Sequence, residues 1–100
     1  MSVVDERIGK VAYSKAGRVK GRLFVVINVI NEKFAMIADG DLRKIENPKI
    51  KNLKHIKITN IVADDVKACL TKGEMPDNHI IRKNLKKIQE GGILDGKEVW

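Results

Sequence analysis

The 100-residue chain is poor in the residue types that carry much protein chemistry: one cysteine, 4% aromatics and two prolines. A lone thiol, Cys69, excludes an internal disulfide and a zinc site built on cysteines, and it fits a reducing, cytoplasmic setting. The longest unbroken apolar run, Leu23 to Ile27, falls far short of the ~20 residues that cross a bilayer. The opening MSVVDERIGK places two acids before Lys10 and has no apolar core, so a signal peptide is not expected. With only Tyr13, Phe24, Phe34 and Trp100, a methyl-lysine cage of clustered aromatics is excluded. Base stacking along single strands is disfavoured as well, because Phe24 and Phe34 lie in core-like runs.

Positive charge is what the chain has in excess. Twenty Lys+Arg stand against 13 Asp+Glu, a net +7, while 43% hydrophobic residues suffice for one small core. Residues 1–60 hold 13 Lys+Arg and 6 Asp+Glu, which is +7, and residues 61–100 hold seven of each. The excess falls in two bursts: Lys15, Arg18, Lys20 and Arg22, then Arg43, Lys44, Lys49, Lys51, Lys54 and Lys57. A local cationic surface attracts polyanions such as nucleic acid, and the same pattern also describes a solvated basic face.

Short strands are expected over residues 8–13, 23–30, 34–38, 42–45 and 55–59, separated by polar or glycine-bearing segments. Leu23 to Ile30, apolar except Asn28 and rich in β-branched residues, predicts a strand buried on both faces. Asp39-Gly40 predicts a type I′ hairpin turn, and Asn47-Pro48 a break. Five such strands, joined by tight turns, bury themselves most economically as a small sheet closed on itself, an SH3-like barrel. After Asn60 the period becomes helical. One helix is expected to start at Asp64-Asp65 and close at Gly73, with Val62, Val66, Cys69 and Leu70 on one face. A second is expected from Asp77 or Asn78 to Gly91-Gly92, with Ile81, Leu85 and Ile88 inward and Arg82, Lys83, Lys86 and Lys87 outward. The fold class is therefore mainly β, a barrel over 1–60, a helical extension over 61–92 and a tail over 93–100.

The segment Gly17-Arg-Val-Lys20-Gly21, set between two predicted strands, resembles the KOW signature, Gly-x-x-Lys-Gly. The resemblance continues through Arg22-Leu-Phe-Val-Val-Ile, Ala38-Asp-Gly-Asp-Leu-Arg-Lys and Lys51-Asn-Leu-Lys-His55, covering about residues 6–60. The chain is thus similar to bacterial KOW-domain RNA-binding proteins and to KOW-containing large-subunit ribosomal proteins of eukaryotes and archaea. Many KOW loops carry a third glycine where this chain has Phe24, and that departure matches the looser, ribosomal-protein-like variant. The resemblance implies an SH3-like barrel, RNA as the partner (ribosomal RNA or the large ribosomal subunit), and Gly17, Lys20 and Gly21 as interface residues.

Glycines at 17 and 21 let backbone N–H groups approach a phosphate with no Cβ between, and they equally satisfy turn geometry alone. The candidate RNA contacts are Lys15, Gly17, Arg18, Lys20, Gly21, Arg22, Arg43, Lys44, Lys51, Lys54, His55 and Lys57. A closed barrel would allow the two bursts to form one patch. With about five phosphates neutralised, the log–log salt slope of binding should be roughly −4. Asp39 and Asp41 flank Gly40 like a carboxylate pair, but turn chemistry accounts for Asp39 and a metal would take more oxygen ligands. No nucleophile–base pair, P-loop or dinucleotide fingerprint is present, so a non-enzymatic protein without cofactor, metal, membrane or small-molecule substrate is expected. The alternative is a protein-interaction adaptor of the transcription or translation machinery, since SH3-like barrels also dock polypeptides.

Overall fold

β2, Leu23–Val29, is the organising strand of the protein, a computed structural model of which describes residues 5–15 and 20–91. Its first five residues are all buried, because the sheet is covered on both sides. Leu23, Val25 and Ile27 pack on one face with Val11, Ala38, Val66, Ile81 and Leu85. Phe24 and Val26 pack on the other with Ala12, Ala35, Ile37 and Ile56. Alternation with apolar residues at both parities is what a doubly covered strand requires.

β1 (Lys10–Ser14), β3 (Phe34–Ala38), β4 (Lys49–Asn52) and β5 (Ile56–Val62) complete a five-stranded antiparallel sheet in the order β4-β3-β2-β1-β5. Register shifts lie between Val26 and Asn28 on β2 and opposite Lys10–Ala12 on β5, and such bulges sharpen local bending. At the β5 bulge the buried Thr59 hydroxyl donates to the Val11 carbonyl (2.7 Å) and accepts from the Ile61 N–H (3.1 Å), standing in for the displaced ladder. A single 3₁₀ turn, Leu53–His55, carries the chain from edge strand β4 to edge strand β5. Asn52 and Ile56 can be at most ~15 Å apart along the chain. The edges of a flat five-stranded sheet lie ~19 Å apart. The sheet must therefore curl. It is nevertheless not the expected closed barrel, since no ladder joins β4 to β5 among the described residues. β4 is only four residues long and its exit turn bonds instead to the β2–β3 connection, Leu53 N–H to the Lys33 carbonyl.

The expected strand at 42–45 is absent, and the strand lies at 49–52, after Pro48. Asp39-Gly40 does not form a two-residue type I′ turn. The Asp39 carboxylate accepts the N–H groups of Asp41 (3.0 Å) and Arg43 (2.8 Å), which holds the chain in a wider loop.

α1 (Asp64–Thr71) and α2 (Asn78–Glu90) cover the face of the sheet that carries Leu23, Val25 and Ile27. α1 has Ala63 at its N-cap and receives its cap from the neighbouring helix. The buried Asn84 Oδ1 accepts from the Asp65 N–H (3.1 Å), and its amide donates to the Asp65 carboxylate (2.8 Å). Asp77 caps α2 through the Ile80 N–H. Ile81 and Leu85 face inward and Arg82, Lys83, Lys86 and Lys87 outward, as the helical period predicts; Cys69 is half-buried. Val62 belongs to β5 rather than to the helical face. No helix among the described residues is long and apolar enough to cross a membrane.

Candidate nucleic-acid interface

The end of β1 is where the chain gathers its cations. Ser14 pairs with Ile56 of β5 and bridges to Lys20, while the Lys15 N–H donates to the His55 carbonyl (2.9 Å) and Lys57 lies opposite Tyr13. Those pairings bring Lys15, Lys20, Lys54, His55 and Lys57, spread over 43 sequence positions, to one end of the sheet, and all five are exposed. Antiparallel pairing of β1 with β5, not proximity in sequence, makes this cluster. Among the described residues, none of the four lysines is paired to a carboxylate.

Gly21 turns the loop here with φ +84° and open space around its Cα, and its N–H donates to the Ser14 carbonyl (2.8 Å). Gly17 and Arg18, the other half of the candidate loop, lie outside the described residues.

Arg22 is engaged by two carboxylates rather than standing free beside the lysines. Its Nε donates to the nearly buried Asp39 carboxylate (2.5 Å) and an Nη to Asp41 (3.1 Å). Burial works against the guanidinium charge, yet Asp39 and then Asp41 outweigh it and raise the Arg22 pKa. Arg22 thereby offsets part of the charge of the two carboxylates near the loop, leaving the trio at a net −1. Arg7 is likewise taken up at the other end of β1, where its side-chain hydrogen bond, followed by its backbone N–H, lowers the Asp5 carboxyl to about 2.

The remaining candidates do not join the cluster by any pairing. Half-buried Arg43 and exposed Lys44 lie in the β3–β4 loop beside the start of α2, where the Ile45 N–H donates to the Asn78 side chain (2.7 Å). Half-buried Lys51 sits on edge strand β4 opposite Ala35. Phe34, expected in the core, is 37% exposed at the start of β3.

Sequence reasoning missed a second element at this end. A cleft of about 500 Å³ lies between the β1–β2 loop, the Asp39–Leu42 segment and α2, and its lining includes Lys20, Leu42, Arg82, Lys86 and Gln89. Gly40 makes the approach possible: at φ +77°, a Cβ there would lie 2.5 Å from the Asn78 carbonyl oxygen. Arg82 then ties the helix to the loop through the Gly40 carbonyl (2.6 Å). The i, i+4, i+7 spacing of Arg82, Lys86 and Gln89 placed them on one helix face, but nothing local indicated that this face meets Lys20.

Compared with known proteins, the chain matches no family model and no curated relative.

Proposed function

We propose that the protein is a non-enzymatic RNA-binding module whose curled, open sheet is a variant of the SH3-like fold of the KOW type. It contacts structured RNA through phosphates, as a component or factor of the ribosome. The observation that carries this reading is the group of exposed lysines Lys15, Lys20, Lys54 and Lys57, none paired to a carboxylate among the described residues, at one end of β1 with His55 beside them. Four lysines at one sheet end, with Arg22 offsetting part of the nearby acids' charge, form a local positive potential that a phosphate backbone matches. The scarcity of aromatics favours recognition of a folded RNA by shape and charge over stacking on a single strand.

Binding of a structured RNA should show a log–log salt slope of roughly −4, one contact per lysine of the cluster. In a lysate, the protein should sediment with the large ribosomal subunit at low salt and leave it at high salt. Binding that survives about 0.5 M salt undiminished, or a protein that stays at the top of the gradient under both conditions, would remove the phosphate-based reading in favour of a polypeptide partner.

A further inference from the structure

The cleft beside α2 has features that a flat phosphate-binding surface does not need. Its floor is apolar, formed by Leu23 and Leu85, and Leu42 stands on its wall with 60% of its surface exposed. Its rim is cationic, with Lys20 from the loop and Lys86 from the helix. Asp39 and Asp41 also line it, but Arg22 pairs with both, and the four cations of the lining, Lys20, Arg22, Arg82 and Lys86, outnumber the two acids by two. The Gln89 amide supplies a donor and an acceptor. A volume of about 500 Å³ lies within the ~300–1,000 Å³ typical of pockets for small ligands.

The cleft is also continuous with the cationic end of the sheet. Lys57, Tyr13 and Leu23 are cross-strand neighbours on the helix-covered face, and Lys20 belongs to both the cluster and the cleft. An RNA strand held by the lysine cluster therefore passes the cleft mouth.

We infer that the cleft receives a single unpaired nucleotide of the bound RNA, its phosphate between Lys20 and Lys86 and its base against Leu42 and the leucine floor. The inference rests on the RNA-binding reading and adds the class of RNA: a duplex interrupted by an extruded nucleotide. An unpaired nucleotide has already left the stack, so its insertion avoids most of the unstacking cost. Apolar contact with Leu42 accepts any base, whereas the two ammonium groups demand the phosphate.

The test compares two RNA hairpins, one with a fully paired stem and one identical but for a single unpaired uridine, binding to the full chain and to two variants. Lys86→Gln and Leu42→Ala both alter exposed side chains and should leave the thermal melt unchanged. The wild type should prefer the bulged hairpin on the order of tenfold, and each variant should reduce that preference to within about threefold. Equal binding of both hairpins by the wild type, with a steep salt slope, would overturn the nucleotide site and leave the RNA-binding reading standing. Binding of neither hairpin would overturn both. A bulge preference kept intact by both variants would overturn the placement of the nucleotide in this cleft.

Discussion

The two basic bursts of the sequence meet different fates in the fold. Lys15 and Lys20 of the first are joined, through the β1–β5 pairing and the bridge to Ser14, by Lys54, His55 and Lys57 from the end of the second. Arg43 and Lys44, members of that same second burst, are left beside the start of α2, and half-buried Lys51 sits on β4, one 3₁₀ turn before β5. Members of one burst thus part, as Arg43 and Lys44 do from Lys54 and Lys57, and cations some 40 positions apart converge. Net charge identifies a polyanion binder only in outline; strand order decides which charges act on one phosphate chain.

The largest effect should come from emptying one group while sparing the other. Replacing Lys15, Lys20, Lys54 and Lys57 with Ala should weaken binding of a structured RNA by about a hundredfold or more in 50 mM salt and flatten the salt slope by about 3. Replacing Arg43, Lys44 and Lys51 should change the slope by less than about 1. Equal losses from the two sets would erase the distinction between them.

Next in size is the junction that brings α2 to the loop. Gly40→Ala forces a side chain into positive φ and against the Asn78 carbonyl, and should cost about 2–4 kcal/mol in a denaturant titration. Gly21→Ala has a similar φ of +84° but open space, so it should cost only about 1 kcal/mol. A Gly40 variant as stable as the Gly21 variant would mean that the loop and helix are not in close contact.

A smaller effect is expected at Arg22. Arg22→Ala leaves the buried Asp39 carboxylate with only its two backbone donors, at a cost of about 1–3 kcal/mol, moderated by the exposure of the guanidinium. RNA affinity should fall less than with Lys20→Ala, since two freed carboxylates repel phosphate but no phosphate contact is lost. A loss matching that of Lys20→Ala would return Arg22 to the interface.

Much of this architecture was legible from local chemistry. The β-branched run at 23–30 marked the doubly covered strand, and Asp64-Asp65, Gly73, Asp77 and the apolar period of α2 marked both helices. The segment from 39 to 48 was misread because Asp-Gly is a turn signal whether it closes a two-residue hairpin or opens a longer loop. The difference lies in Arg22, 17 positions away, which fixes the Asp39 carboxylate. Sheet closure was misjudged for a related reason: strand count and turn spacing imply curling, whereas a final ladder depends on the length of β4, displaced from the expected site. Of the candidate contacts, Lys15, Lys20, Lys54, His55 and Lys57 form a group. The pairing of Arg22 with Asp39 and Asp41 was not legible, because a guanidinium suits a carboxylate fork as well as a phosphate.

The most direct measurement is a map of backbone amide shifts during titration with a structured RNA. The account predicts that the largest perturbations fall on residues 14–15, 20–21 and 54–57, with 43–44 and 49–51 nearly still. Perturbations centred on β4 and the Arg43–Lys44 loop, or none anywhere at RNA concentrations that saturate other basic proteins, would contradict it.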